Sequence, residues 1–276
     1  MTWEDETSNG QSTMLNDIAM IAIVGAMTGV TTVLFGFGGG FVVVPFVYQL
    51  FLRQPAIANN ALHIAVATSS AVMIVNAGWA TFQHQRRGNV TADILFPLTL
   101  FIGLGAVMGS LLAGQLNEGT IRLLFILYMW VTIVDCLVSR RFLKGCEARR
   151  LSMSTTTVGG VAMGAVAALL GVGGSVMTVP LLRRQGFSMK HCISHANPLS
   201  LPVALCATIT YTFDGWGKIP DSGFIGYISL TTLVTLVAAG GIGITISQRY
   251  FPKIPDWWHA RLYVLLLIAV LIAMLW

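Results

Sequence analysis

The chain has 276 residues, of which 55% are hydrophobic and only 10% are charged, and its mean hydropathy is +0.76. A soluble domain carries about 25% charged residues, so this composition excludes an ordinary water-soluble fold. The net charge of +5 comes from Lys and Arg residues in predicted loops rather than along one face. It therefore indicates orientation in a lipid bilayer and not a nucleic-acid partner.

A polar, acidic segment opens the chain and lacks the basic region of a signal peptide, so residues 1–17 are predicted to be a disordered tail. Beyond it, apolar runs that reach the roughly 20 residues needed to cross a bilayer recur to the end of the chain. These runs predict an all-α polytopic protein of the cell membrane, with no soluble domain between them. Six runs are predicted as single spans, near 59–83, 92–114, 120–139, 193–213, 223–247 and 258–276.

Two further apolar stretches, 18–52 and 154–182, are too long for one ordinary helix and carry a glycine cluster in the middle. The clusters are GFGGG over Gly36–Gly40 and GVGGS over Gly171–Ser175. Each stretch is predicted either as one broken helix or as two short helices folded back into a hairpin. Non-helical backbone at membrane depth is tolerated only where it is buried in protein or lines a wet cavity. The two breaks are therefore expected to meet near the centre.

The two glycine clusters belong to one repeated unit. Each is followed by a proline at the same distance, and all matched positions are separated by a constant 135 residues. A weaker match follows with a four-residue gap, in which His63–Ser69 aligns with Ser194–Ser200. We therefore predict a first transmembrane repeat over 18–150 and a second over 151–276.

The distribution of Lys and Arg distinguishes the two topologies, because cytoplasmic loops carry the excess of these residues. With single crossings, eight spans would leave 8 of the 16 basic residues on the inner side, which is no bias. With hairpins, ten segments would leave 13 of the 16 inside and both termini outside. We favour the hairpins, and full crossings are the alternative. Five segments per half then give two repeats of inverted topology, a feature of transporters.

After each glycine cluster the chain is predicted to resume as a helix whose first-turn N–H groups face a central cavity. A helix N-terminus attracts anions through these donors and its partial positive charge, and glycine allows close approach. Neither cluster contains an acidic residue, which argues against a cation site. The predicted substrate-binding residues are Gly38, Gly39, Gly40, Gly173, Gly174 and Ser175 in the clusters, and Thr68, Ser69, Ser70, Asn197 and Ser200 on the following spans.

Other small and charged residues have competing interpretations. Arg86 and Arg87, in a basic turn, are predicted to attract or gate the anion. The Ser and Thr side chains could instead bond to carbonyl groups of their own helices. Isolated glycine pairs such as Gly105-x-x-x-Gly109 are predicted to serve helix packing only.

The histidines allow two further roles. His191 and His195 are spaced as an i, i+4 pair beside Cys192 and could hold a metal, but no acidic ligand accompanies them. His63 and His195 are candidate proton relays. We expect no metal and no other cofactor.

The motifs as a set resemble a known family. The two GxGGG/S-x4-P motifs, the Ala67-Thr68-Ser69 segment and the basic turn from His84 to Val90 are similar to those of the sulfite exporter TauE/SafE family, also called the toluene-sulfonate uptake permeases. The resemblance runs over nearly the whole chain. It implies movement of a small sulfur-containing anion, such as sulfite, a sulfonate or sulfoacetate, without nucleotide hydrolysis. In the second half Asn197-Pro198 replaces the Ala67-Thr68 pair, so equivalent half-sites are not implied.

The expected function is a secondary transporter that exports such an anion by alternating access. An inside-negative membrane potential expels an anion and contributes about 2.3 kcal/mol per charge per 100 mV. An anion channel with the same glycine-lined centre is the alternative. Proton coupling and a homodimer are left open. A membrane enzyme is not expected, because the sequence has no HExxH, no GxSxG and no acidic pair at membrane depth.

Overall fold

In the computed structural model of this chain, the described residues are 3–86, 92–139, 142, 152–219, 222–250 and 255–276. Most of them are helical. The helices of the first half are α1 Trp3–Phe35, α2 Gly40–Leu52, α3 Ala61–Arg86, α4 Ala92–Ala113 and α5 Glu118–Val138. Those of the second half are α6 Gly160–Leu170, α7 Ser175–Arg184, α8 Met189–Asp214, α9 Leu230–Tyr250 and α10 Asp256–Leu275.

Short elements join these helices. A 3₁₀ turn, Ala58–Asn60, precedes α3, and a π-helical turn, Thr155–Gly159, leads into α6. Two short antiparallel strands, β1 Phe224–Ile225 and β2 Ile228–Ser229, form a hairpin immediately before α9. The described chain is therefore a helical protein with one small hairpin near the start of α9.

Seven of the described helices are long and apolar enough to cross a membrane. They are α5, α8, α9, α10 and the segments Asn16–Phe35, Ala58–Arg86 and Leu95–Ala113 of α1, α3 and α4. The segments Gly40–Leu52 and Thr155–Leu170 are apolar but shorter. The all-α polytopic membrane class is therefore confirmed, and each predicted single span corresponds to one of the long helices.

Two elements differ from their predicted extent. α1 begins at Trp3, whereas the polar composition predicts a disordered tail over 1–17. A helix that has already nucleated gains one hydrogen bond for each residue added, which favours continuation beyond the apolar segment. α9 begins at Leu230, whereas the apolar run predicts a span over 223–247. The hairpin occupies the difference, and it is apolar in sequence because residues such as Tyr227 are buried.

Two helix pairs, α1 with α9 and α4 with α6, are in backbone contact through glycine. A Cβ atom placed on Gly29 would lie 2.1 Å from the carbonyl oxygen of Gly240, and one placed on Gly109 would lie 2.0 Å from that of Ala165. No side chain fits at these positions, so small residues allow the backbones to approach closely. The packing role predicted for Gly105-x-x-x-Gly109 is confirmed.

α3 and α8 form the centre of the described structure. They pack against each other and are the two most buried of the long helices. α2 packs on α3, and α7 packs on α8. The two glycine clusters, which precede α2 and α7, therefore lie against the central helix pair.

Acidic residues at the starts of α5 and α10 hold the N-termini of this central pair. The Glu118 carboxylate accepts a hydrogen bond from the backbone N–H of Leu62, at the start of α3, at 2.8 Å. Asp256 accepts one from the backbone N–H of Met189, at the start of α8, at 2.8 Å, and forms an ion pair with Arg183. We call the regions around these two contacts the Glu118 end and the Asp256 end.

Candidate functional site

The first glycine cluster breaks the helix between Phe35 and Gly40. Gly36, Gly38 and Gly39 have φ values of +74°, +63° and +93°, a region that residues with a Cβ atom rarely occupy. Gly39 is the N-cap residue of α2, and no side chain caps this helix start. The first turn of α2 therefore presents N–H groups that no capping side chain occupies.

The second cluster repeats this geometry in part. Gly171 and Gly173 have φ values of +66° and +72°, whereas Gly174 is in the right-handed helical region at −65°. Gly174 is the N-cap residue of α7, again without a side-chain cap. The first residues of both short helices, Gly40 and Ser175, are buried. Two helix N-termini, each with a partial positive charge, thus begin in the interior.

The two breaks touch each other. A Cβ atom placed on Gly40 would lie 2.8 Å from the carbonyl oxygen of Gly171. The same oxygen accepts a hydrogen bond from Ser69 Oγ of α3 at 3.0 Å. Residues from α2, α3 and the second break that the sequence assigns to one site are therefore adjacent in the structure.

Met73 fills the space between the breaks. It is residue 13 of the 26 in α3, and it is fully buried. A Cβ atom placed on Gly38 would lie 2.7 Å from Met73 Cγ, and one placed on Gly173 would lie 2.5 Å from Met73 Sδ. The flexible thioether thus packs against both clusters at the midpoint of α3 without adding charge.

Asn76 lies nearly one turn further along α3 and faces the start of α2. A Cβ atom placed on Gly39 would lie 2.9 Å from Asn76 Nδ2, and one placed on Gly240 of α9 would lie 3.0 Å from the same atom. Asn76 is 1% exposed, and its Nδ2 has no hydrogen-bond partner among the described residues. A buried polar group without a partner costs about 1–3 kcal/mol, so this N–H group is suited to a ligand or a water molecule.

Three of the predicted polar site residues are on α7 and α8. Ser175 is fully buried, and its Oγ has no partner within the described ranges. Ser200 donates to a carbonyl of its own helix at 2.9 Å, and its Oγ would lie 3.3 Å from a Cβ atom on Gly173. Asn197 donates to the carbonyl of Thr32 at 3.4 Å, while its buried Oδ1 has no partner in the part of the chain that is described.

Two other predicted site residues use their hydroxyl groups elsewhere. Thr68 Oγ1 accepts a hydrogen bond from the backbone N–H of Ser229 at 3.2 Å, which joins α3 to the β hairpin. Ser70 donates to the carbonyl of Val66, one turn earlier in its own helix, at 2.8 Å. Ser70 and Ser200 thus bond within their own helices, and Ser69 Oγ also lies 3.0 Å from the carbonyl oxygen of Val66 in α3.

The predicted gating arginines are separated from the breaks. Arg86 is exposed at the end of α3, and its guanidinium lies 4.6 Å from the centre of the Phe82 ring. It follows Met73 by 13 residues, which is about 20 Å along an α-helix. Arg87 lies outside the described residues. Arg86 is thus at the end of the molecule and not in the central site.

The histidines considered as proton relays lie toward the two ends. His63 pairs with Glu118 at 3.4 Å, and its ring centre is 5.3 Å from that of Tyr227. The His195 ring packs on that of His191 with centres 4.1 Å apart. Among the described residues, no group of three or more His, Cys, Asp or Glu could hold a metal ion. Among the described residues, the side chains nearest to the glycines of the breaks, such as Met73, Asn76 and Ser200, are uncharged.

An aromatic cluster covers the first break from the Asp256 end. Phe37 and Phe41 are fully buried with ring centres 4.7 Å apart, and Phe37 also lies 5.1 Å from Tyr263 of α10. The Tyr263 hydroxyl donates to the carbonyl of Val176, in the first turn of α7, at 3.0 Å. Aromatic side chains therefore pack against both breaks from the Asp256 end.

Sequence reasoning missed Met73 and Asn76. Asn76 carried a signal, because an amide within an apolar span is a functional candidate. Met73 carried none, since methionine is common in membrane helices and its role depends on contact with two glycine clusters distant in sequence. Both residues belong to the helix already predicted to line the site.

Comparisons with known proteins agree with this architecture. The family described as sulfite exporter TauE/SafE matches residues 21–274. A probable membrane transporter protein of Haemophilus influenzae is 23% identical over 266 residues, covering 95% of this chain and 99% of that protein. One from Methanocaldococcus jannaschii is 24% identical over 246 residues, covering 86% and 88%. No solved structure matches the chain. The chain is therefore a member of the sulfite exporter TauE/SafE family and a membrane transporter.

Proposed function

We propose that the chain is a secondary transporter that exports a small sulfur-containing anion, sulfite or an organosulfonate, by alternating access through the point where the two glycine breaks meet. The observation that carries the proposal is that two buried helix N-termini without side-chain caps begin beside each other, next to the midpoint of α3. Oriented N–H groups of this kind bind oxyanions. The buried charged residues among those described include no Asp or Glu, so a cation would lack ligands there.

The sulfur-containing substrate is inferred from the family. The family is described as a sulfite exporter, and its relatives here as probable membrane transporter proteins. Sulfite and sulfonates each present three oxygen acceptors to a group of N–H and O–H donors. Export is favoured by an inside-negative membrane potential, which contributes about 2.3 kcal/mol per charge per 100 mV.

Two repeats of inverted topology, over 18–150 and 151–276, are part of the proposal. Helix contacts support them, because α1 packs along α9 as α6 packs along α4, and α2 packs on α3 as α7 packs on α8. The two ends support them as well. Glu118 and Asp256 are each the first residue of the fifth helix in their half, and each accepts an N–H from the start of the third.

The contacts of the breaks give the register between the two halves. A Cβ atom on Gly36 would lie 3.2 Å from the carbonyl oxygen of Ile193, and one on Gly171 would lie 2.8 Å from Val66 Cγ1. These pairs relate α3 to α8 by 127 residues, whereas the sequence alignment relates them by 131. The difference is about one helical turn, which presents the same face of each helix. In this register Asn76 corresponds to the apolar Val203.

Each glycine-broken stretch is proposed to be a hairpin. Phe35, the last residue of α1, contacts His259 near the Asp256 end. Phe51, near the end of α2, contacts Phe224 of the β hairpin at the Glu118 end. Helices α1 and α2 with ends in these places run in opposite directions, as a hairpin requires.

The Asp256 end is proposed to face the cytoplasm, with both termini on the outer side of the cell membrane. Arg183 and Arg184 lie at this end, where they pair with acidic residues of α10 and α5. The Glu118 end contains Arg122 and Lys218, and Lys218 donates to Asp214 at 2.9 Å, which raises the pKa of Lys218. With the basic loops counted from the sequence, the excess of Lys and Arg is at the Asp256 end, as expected for the cytoplasmic side.

A carrier is favoured over an anion channel because the centre is closed. Met73 fills the space between the breaks, and Phe37 and Phe41 are fully buried beside them. A channel requires one path open to both sides at once. In counterflow, a carrier exchanges labelled substrate across the bilayer and saturates, whereas a channel conducts without exchange.

Anion flux into proteoliposomes tests the glycine site. Gly173→Ala should lower sulfite and sulfonate flux by at least about tenfold, because alanine is strained at positive φ and would displace the groups that form the site. The new Cβ atom would lie 2.5 Å from Met73 Sδ, and the φ of residue 173 is +72°.

The matched control is Gly241→Ala in α9. A Cβ atom on Gly241 would meet nothing within 4 Å, so this variant should transport at the original rate. Flux that is unchanged in Gly173→Ala protein, with both variants monodisperse in detergent, would contradict the proposed site.

A further inference from the structure

The centre offers hydrogen-bond donors but no buried cation to a ligand. Among the described residues, Arg183 is the one buried side chain of the types Lys, Arg, Asp and Glu. Arg183 follows Ser175 by eight residues in α7, which places it about 12 Å further along the helix. It is also paired with Asp256 and donates to the carbonyl of Phe142 at 2.8 Å.

The histidines of the central helices α3 and α8 do not supply a cation at the breaks. His63 contacts Glu118, Tyr211 and Tyr227 at the Glu118 end. The His195 ring packs on His191 toward the Asp256 end. Neither contact involves a residue of the glycine breaks.

Unsatisfied neutral donors are present where the two short helices begin. Asn76 is 1% exposed, and its unpaired Nδ2 faces the N-cap residue Gly39. Ser175 is fully buried and carries an unpaired Oγ, again among the described residues. Together with the first-turn N–H groups, these atoms can donate several hydrogen bonds to one oxyanion.

Neutral donors distinguish anions by charge. The cost of moving an ion out of water rises with the square of its charge, so a dianion loses about four times as much hydration free energy as a monoanion of the same size. Attraction to fixed dipoles rises only in proportion to charge. A site without a cation therefore compensates a monoanion far better than a dianion.

We infer that the central site selects singly charged oxyanions over doubly charged ones and that Asn76 Nδ2 donates to the bound oxygen. This inference rests on the proposed transport function and narrows its substrate. The transported forms are hydrogensulfite or a sulfonate with a single charge, rather than the sulfite dianion, sulfate or a doubly charged sulfonate such as sulfoacetate.

Proteoliposomes containing the full chain test the charge selectivity with three anions. Methanesulfonate remains a monoanion and sulfate a dianion over the pH range used, so methanesulfonate flux should exceed sulfate flux by at least about tenfold. Sulfite flux should fall as the pH rises from mildly acidic to mildly alkaline, because hydrogensulfite loses its proton, while methanesulfonate flux stays constant.

The outcomes separate this inference from the proposed function. Sulfate flux equal to methanesulfonate flux would overturn the charge selectivity and leave anion transport standing. Absence of flux for all three anions, from protein that is folded and inserted, would overturn both.

Asn76→Ala and Asn76→Ser test the donor. Both side chains fit the space, but only serine can donate, so methanesulfonate flux should fall about tenfold in the alanine variant and less in the serine variant. Thr132→Val is the control, because Thr132 donates to the carbonyl of Tyr128 within α5, a helix that belongs to neither break. Equal flux in the alanine and serine variants would overturn the role of Asn76.

Discussion

Gly173 and Met73 are packed so closely that a change at one should alter the cost of a change at the other. Met73→Ala alone removes a fully buried side chain and should cost about 2–5 kcal/mol in the free energy of unfolding, because it leaves a cavity. Gly173→Ala alone adds a Cβ atom 2.5 Å from Met73 Sδ. The double variant should be more stable than the sum of the single changes by about 1 kcal/mol, because the clash is absent.

Unfolding in detergent measures the stability of the two single variants and of the double variant, which together form a double-mutant cycle. Met73→Leu serves as the control, since a change that conserves volume should cost less than about 1.5 kcal/mol. Additive effects of Gly173→Ala and Met73→Ala would show that the second break does not rest on α3 in the way described.

At the level of single residues, glycine was the informative type. The sequence could predict that the clustered glycines are special, because positive φ excludes most other residues. Positive φ is found at Gly38, Gly39 and Gly173. Thr68 and Ser70 were not separable from Ser69 by sequence, since the three are adjacent on one helix and only the contact with Gly171 identifies Ser69. A hydroxyl's partner depends on packing between segments that the sequence does not relate.

The acidic residues that begin α5 and α10 should differ in their effect on stability. Asp256→Ala leaves Arg183, whose side chain is 3% exposed, without its carboxylate, whereas Glu118→Ala removes the partner of a histidine, His63, and not of an arginine. Loss of a cap costs about 1 kcal/mol, and an uncompensated buried charge costs about 3–5 kcal/mol. Because the Asp256 side chain is 46% exposed, water reduces the second cost toward the lower end of its range.

Thermal unfolding checks whether Asp256→Ala loses more stability than Glu118→Ala. Each alanine variant is compared with the variant that carries an amide at the same position. Asp256→Asn and Glu118→Gln keep an oxygen for the backbone N–H and should each be more stable than the alanine variant. A larger loss for Glu118→Ala than for Asp256→Ala would contradict the assignment.

At the level of elements, long apolar runs predicted the single spans well because hydropathy depends only on local composition. The predicted start of α9 was wrong, because the β hairpin before it, in which Tyr227 and Ile228 are buried, is as apolar in sequence as a membrane helix. The sequence alignment of α3 with α8 differed by one helical turn from the register that the contacts of the breaks give. A shift of one turn preserves the helix face, so the amphipathic pattern cannot distinguish the two registers.

At the scale of the whole molecule, charge and contact patterns support the same arrangement. Counting Lys and Arg favours ten segments with 13 of 16 basic residues on one side, and the helix pairs repeat between the halves. This topology stays a prediction from the sequence, and it rests on the tendency of cytoplasmic loops to carry the excess of Lys and Arg. The identity of the anion depends on a few donors at the centre, and neither charge counts nor hydropathy reports on them.

Accessibility of residue 175 from the two sides of the membrane tests alternating access at the glycine breaks most directly. Ser175→Cys is nearly isosteric, and it would be introduced after Cys136, Cys146, Cys192 and Cys206 are replaced. A membrane-impermeant thiol reagent should reach the new cysteine from either side as the transporter turns over, and methanesulfonate should slow the reaction by occupying the site. Reaction from one side only, or a rate unaffected by the anion, would contradict the account.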